Sequence, residues 1–235
     1  MIKKSLGIIS VLTLLWMIYG MFTTLVLRKT SKRLVKKLNT DGIALTFDDG
    51  PNEIYTIQLL DLLKRYDAKA TFFVVGEKVD RHPEIVKRIH QEGHAIGIHH
   101  YQHLSSWKLT PKQLEEQLVQ TDKAIFRATG EHPTLYRPPW GFCNLFTLQK
   151  AKNLDIIIWS HIFGDWKIHN CKRKLLEGLR QVPADGSIVL LHDDGANPGA
   201  DDEAPAFMLQ QLEKYLEESS QQNISFVKIE GRMLP

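Results

Sequence analysis

Cysteine is nearly missing from this chain: 235 residues contain two, Cys143 and Cys171. That excludes a zinc site built from paired thiolates and a disulfide-stapled scaffold, and the two are read as unpaired thiols. Repeats and low-complexity tracts are absent too. With 43% hydrophobic and 24% charged residues, the composition fits one sizeable globular domain.

Charge is absent between Lys4 and Arg28. The intervening stretch, 5–27, is rich in Leu, Ile, Val and Met, and as a helix it would be about 34 Å long, enough for the roughly 30 Å hydrocarbon core of a bilayer. A small-x-small cleavage site is also lacking, and the stretch exceeds the about 7 to 15 apolar residues of a signal peptide. It is therefore expected to remain as a single-pass anchor. Six basic residues follow it (Arg28, Lys29, Lys32, Arg33, Lys36, Lys37) and only Lys3 and Lys4 precede it. By that count the rest of the chain would lie in the cytoplasm. Without those six residues the net charge of +3 becomes slightly negative, so a nucleic-acid partner is not indicated.

From residue 41 onward, short runs rich in Val, Ile and Phe alternate with amphipathic segments. Seven strands are predicted, at 43–47, 70–75, 94–98, 134–136, 155–160, 187–191 and 225–229. Pro83 opens one intervening helix, which stops near Gly93. Thr110 and Pro111 are N-cap and first residue of another that ends at Gly130. Repeated β-α units imply a parallel sheet, and seven of them suggest a distorted seven-stranded (β/α) barrel. The chain divides into an anchor and basic linker, 1–40, and a catalytic domain, 41–235.

Two runs carry candidate chemistry. LTFDDGP (45–51) ends a strand with adjacent carboxylates, Asp48 and Asp49, and HHYQH (99–103) supplies imidazoles four apart, His99 and His103. Two His nitrogens and one carboxylate oxygen are a usual zinc set with an open position for water, and the second carboxylate is then free to act as a base. Taken alone, Asp-Asp-Gly-Pro reads as a surface turn. Position argues otherwise: Asp48 and Asp49, His99 and His103, Arg137 to Trp140, Asp165 and Trp166, and His192 all follow predicted strands, on the face where barrels build active sites.

The ordered set TFDDGP (46–51), HHYQH (99–103), RPPWG (137–141), GDW (164–166) and LLH (190–192) resembles the polysaccharide deacetylase family, carbohydrate esterase family 4, over about 41–230. The resemblance implies metal-dependent removal of acetyl from N-acetylated sugars, with Asp48 as base and Asp49, His99 and His103 holding a divalent metal, zinc first and Co, Mn or Ni as alternatives. It makes Arg137 the residue that holds the base bidentately and His192 the acid that protonates the leaving amine. Trp140, usually Tyr in the family, contributes its backbone N–H to the oxyanion. Trp166 and Leu190 wall the acetyl pocket, and Pro139 joins them on the substrate side.

Two departures bear on activity. His100 stands where the family has Ser or Thr, and Ile162 stands where it usually has an Asp, three residues before the Asp-Trp pair, that partners the acid. His192 is thus expected to lack a carboxylate partner, and His100 to sit beside the metal without ligating it. Family substrates, chitin oligomers and peptidoglycan, lie outside the cytoplasm, which places the domain on the outer face of the cell membrane against the charge count, as a monomer.

Overall fold

The computed structural model describes residues 11–231. Eight short strands, all parallel, form one curled sheet: β1 (Leu34–Val35), β2 (Gly42–Asp48), β3 (Ala70–Val74), β4 (Ala95–Ile98), β5 (Leu135–Tyr136), β6 (Asp155–Ile157), β7 (His161–Ile162) and β8 (Asp185–His192), in the order β1-β6-β5-β4-β3-β2-β8-β7. The distorted α/β barrel expected from the sequence is the fold observed. The single segment 155–162 supplies β6 near one edge and β7 at the other, and Ser160 N–H bonds the Ile188 carbonyl between them. The curl is therefore closed by irregular chain at that point.

Strand parity explains the layering. Ala44, Phe73, Leu135, Ile157 and Ile188 form an inner cluster, while their neighbours Ile43, Leu45, Phe72 and Val189 face outward into a larger core. Side chains alternate along a strand, so the positions that continue the inner set are Thr46 and Asp48 on β2, His99 after β4, Arg137 after β5, Trp159 after β6, and Leu190 and His192 on β8. The inner face thus ends in chemistry at its carboxyl rim. Outside pack the principal helices: α1 (Val11–Thr30), α2 (Tyr55–Arg65), α3 (Gly76–Arg81), α4 (Pro83–Gln91), α5 (Pro111–Thr129) and α6 (Ala204–Gln221). The Thr110 cap is present as a full capping box with Gln113, and Gly130 ends α5 at φ 79.

Two expected boundaries change. The segment 225–229 is no barrel strand: it forms a single parallel bridge, Ile43 to Phe226, and Ile229 N–H bonds the Thr71 hydroxyl. It crosses the amino end of β2 and β3 and buries Ile229 in the inner cluster, as a plug. Strands β1 and β7, each two residues long, were too short to show any periodicity.

Helix α1 is long and apolar enough to cross a membrane by length and composition; residues 5–10 of the expected span lie outside the described residues. Val11, Leu12, Leu14, Leu15 and Ile18 are exposed. From Tyr19 onward the helix is packed on the domain, where Gly20 and Thr24 are buried.

Candidate active site

Strand alternation would send Asp48 and Asp49 to opposite faces. Asp49 instead adopts φ 80, a left-handed conformation that breaks the alternation and turns both carboxylates to the pocket. The histidine loop bends likewise, with His100 at φ 62 and His103 at φ 51. Gly76 and Glu77 amides, at the start of α3, bond the carbonyls of His100 and Tyr101, and the Gln117 side chain accepts from Tyr101 and Gln102 amides. That loop is held from both sides.

Asp49, His99 and His103 converge, their ligand atoms all within 4.8 Å of one another. His99 Nδ1–H donates to the Arg137 carbonyl at 2.7 Å, which fixes the tautomer and leaves the Nε2 lone pair pointing at Asp49 Oδ1, 3.3 Å away. His103 Nε2 lies 3.0 Å from the same oxygen, and that buried oxygen has no hydrogen-bond partner. Two imidazole nitrogens and a carboxylate oxygen converging this closely fit a cation. The donor set is therefore chemically suited to a divalent metal.

Asp48 lies beside the triad, its Oδ2 3.7 Å from His99 Nε2. Arg137, wholly buried, donates to Asp48 Oδ1 at 2.6 Å. The bidentate grip expected from the sequence is not formed: the same Nη1 also donates to Thr46 Oγ1 at 2.8 Å, and Nε and Nη2 go to the carbonyls of Ile157 and Ile158. The guanidinium is shared among strands, stacked 4.1 Å over Phe73, and only one arm is left for Asp48. Burial lowers the Arg137 pKa from its usual value, and the Asp48 carboxylate opposes the drop.

His192 does have a carboxylate partner, contrary to the expectation drawn from Ile162. Asp165, buried in the loop after β7, accepts from His192 Nδ1–H at 3.0 Å and from the His192 backbone N–H at 2.7 Å. Burial alone would depress this imidazole; Asp165, then Asp49 and Asp48, override it and raise it to about 10. Ile162 instead lines the pocket wall. Cys171, buried and free, places its thiol 3.0 Å from the Asp165 carbonyl, and Cys143 is buried and free as well, in line with the reading of unpaired thiols.

His100 is no ligand. Wholly buried, it donates from Nδ1 to the Leu104 carbonyl at 2.7 Å and accepts at Nε2 from the Tyr136 hydroxyl at 2.7 Å. Burial pushes it down to about 3, so it is a neutral brace beneath the metal loop.

The pocket, about 360 Å³, is walled in part by Trp140, Trp166 and Leu190. Trp166 meets His192 edge-on at 5.4 Å and Trp140 lies 4.5 Å from His103. Pro139 is buried in the turn below and does not line the pocket. Phe142, Trp159 and the loop 197–200 complete the wall. Of these only Trp159 was within reach of sequence reasoning, as the inward residue at a strand end.

A curled parallel sheet whose carboxyl rim brings a carboxylate pair, two histidines and a third, carboxylate-paired histidine around one pocket is the frame of a barrel hydrolase. The family model described as Polysaccharide deacetylase matches residues 35–159, and the chain belongs to that family, hydrolases of carbohydrate esterase family 4. It is 42% identical over 168 residues, 70% of this chain, to the peptidoglycan-N-acetylglucosamine deacetylase PgdA of Listeria monocytogenes, and spans 33% of that relative's length. It is 37% identical over 180 residues, 75% of this chain and 84% of the relative, to a Bacillus cereus peptidoglycan-N-acetylglucosamine deacetylase. The solved Bc1960 peptidoglycan N-acetylglucosamine deacetylase superposes with a TM-score of 0.72 at 31% identity, covering 83% of this chain and 89% of that one.

Proposed function

We propose that this chain is a membrane-anchored, metal-dependent deacetylase that hydrolyses the N-acetyl group of cell-wall glycan, on glucosamine or muramic acid residues of peptidoglycan. One observation carries the reading: Asp48 held by Arg137 and His192 held by Asp165 sit on either side of one metal-suited triad. A positioned carboxylate to take a proton and a positioned imidazole to give one, in one pocket, are what amide hydrolysis requires.

A divalent cation at Asp49, His99 and His103, zinc by its donor set with Co, Mn or Ni as alternatives, would supply Lewis-acid polarisation of the acetyl carbonyl and an acidified water. Asp48 takes the proton of the attacking water, and the Arg137 arm keeps that oxygen in place. The Trp140 backbone N–H donates to the developing oxyanion. His192, protonated through its Asp165 pairing, gives its Nε2 proton to the departing amine as the C–N bond breaks. Trp166 and Leu190 enclose the methyl group.

The exposed apolar residues of α1 support a membrane anchor, and the substrate class supports a pocket outside the cell; the enzyme is read as a monomer. The test is acetate release from purified peptidoglycan, abolished by chelator and restored by added Zn²⁺. Release from O-acetylated xylan with none from peptidoglycan would instead mark an O-acetyl esterase. Protease added to protoplasts should degrade the domain; protection would place it in the cytoplasm and defeat the cell-wall assignment.

A further inference from the structure

The second half of α1 is bonded into the two loops that frame the pocket. Thr24, buried, accepts from the Cys143 amide at 2.9 Å and from Trp107 Nε1–H at 2.9 Å, with the Cys143 carbonyl 2.7 Å from the same hydroxyl. The Tyr19 hydroxyl donates to the Leu109 carbonyl and accepts from Asn144 Nδ2 at 3.0 Å, and the Tyr19 carbonyl accepts from the Leu145 amide. Gly20 lies under the Trp107 ring so closely that an added Cβ would come within 2.6 Å of it. Trp107 in turn stacks on Phe142 at 4.0 Å, and Phe142 lines the pocket.

Arg28 reaches further. Its Nη2 donates to the Trp140 carbonyl at 3.3 Å and its guanidinium lies 5.0 Å over the Trp159 ring. Gly141, at φ 63, leaves the space that the guanidinium fills, since a Cβ there would lie 2.1 Å from Nη2. Trp140 itself is held at φ 56, a conformation that costs a non-glycine residue about 1–3 kcal/mol and persists only where surroundings enforce it. Two pocket walls and the strained turn between them thus lean on one helix.

We propose that Tyr19, Gly20, Thr24 and Arg28 of α1 are positioning residues of the active site, holding the turn 139–143 so that the Trp140 N–H and the Phe142 ring face the substrate. The carboxyl half of the helix is then a working part of the hydrolase, and the exposed stretch from Val11 to Ile18 is the part left free to meet a membrane. The proposal rests on the deacetylase reading.

The full chain, in detergent, tests it with two readouts: kcat and KM for acetate release, and the rate at which a maleimide labels Cys143, located by mass spectrometry. Gly20→Leu and Thr24→Val should speed Cys143 labelling at least about tenfold as the helix lifts. They should lower kcat about tenfold or more, a part of the 10²–10³ that a lost oxyanion donor costs, with KM and metal content little changed. Arg28→Gln should lower kcat without exposing Cys143, and Arg28→Lys should recover part of it. Leu25→Ala, on the exposed face, should change neither readout.

Faster labelling at parental kcat would show a docked helix with no positioning role and overturn the proposal, as would parental kcat in Arg28→Gln. Loss of metal or of circular-dichroism signal in Gly20→Leu would mark unfolding, and Thr24→Val and Arg28→Gln then decide. A parent chain that releases no acetate would sink the deacetylase reading; a Cys143 that already reacts freely in that parent would sink the docking separately.

Discussion

Asp48 and His192 are register partners on the neighbouring parallel strands β2 and β8. Their Cα positions are thus one strand spacing apart, about 4.8 Å, and both side chains face the barrel interior. Each has its own further partner, Arg137 for the carboxylate and Asp165 for the imidazole, and the Asp48 carboxylate adds to the charges that raise the His192 pKa.

That division predicts different failures for adjacent aspartates. Asp48→Asn should keep its metal and lose turnover by about 10²–10⁴, the usual worth of a positioned proton acceptor. Asp49→Asn should lose metal first. Metal content measured alongside acetate release separates the two, and the opposite pattern would reverse the assignment.

Two histidines three residues apart should likewise behave differently. His103→Ala leaves two protein donors and should strip most of the metal. His100→Ala leaves the Tyr136 hydroxyl and Leu104 carbonyl unpaired in the interior, costing about 1–3 kcal/mol for each stranded group, read as a lower denaturation midpoint. Metal loss without destabilisation in His100→Ala would make it a ligand after all.

Arg137→Met should be among the most damaging substitutions. It strands the buried Asp48 carboxylate and the carbonyls of Ile157 and Ile158, and breaking a buried pair in this way costs about 3–5 kcal/mol. Urea unfolding of metal-free protein measures it. Arg137→Lys should not restore stability, since an ammonium cannot reach the acceptors on β2 and at the end of β6 at once.

His192 sets the pH behaviour. Its pKa is raised from 6.5 to about 10, so the folded state binds this proton more tightly than the unfolded chain. The resulting stability is fully present below about pH 6.5 and is lost as pH rises through about 10. Asp165→Asn should flatten stability across that window in metal-free protein and move the basic limb of the pH–rate profile to lower pH. Ile162→Asp should leave that limb in place, because Asp165 already occupies the imidazole Nδ1–H. A basic limb unmoved by Asp165→Asn would remove His192 from the acid role.

The barrel was legible because a strand pattern is local, and the proposed metal triad and base could be picked out because each is a pair or run of residues at a strand's end. The Asp165 pairing was not, since it depends on how the loop after β7 folds back beneath β8, and counting residues from Asp-Trp pointed to Ile162 instead. The tail 225–229 carries a strand's composition yet crosses the barrel floor, a matter of tertiary placement that alternation cannot show. The docking of α1 was hidden for a similar reason: Tyr19, Gly20 and Thr24 read as unremarkable members of an apolar run.

Beyond α1, Arg33 donates to the carbonyls of Leu148 and Ala151, and β1 begins at Leu34. No leash separates helix from barrel. A flexible linker of n residues would let a tethered domain roam about 5–6 Å × √n from its attachment, whereas this joint fixes the barrel against the helix. On the membrane-anchored reading, the enzyme works at a single depth: glycan lying against the membrane comes within its reach, and strands deeper in the wall do not, however long the enzyme waits.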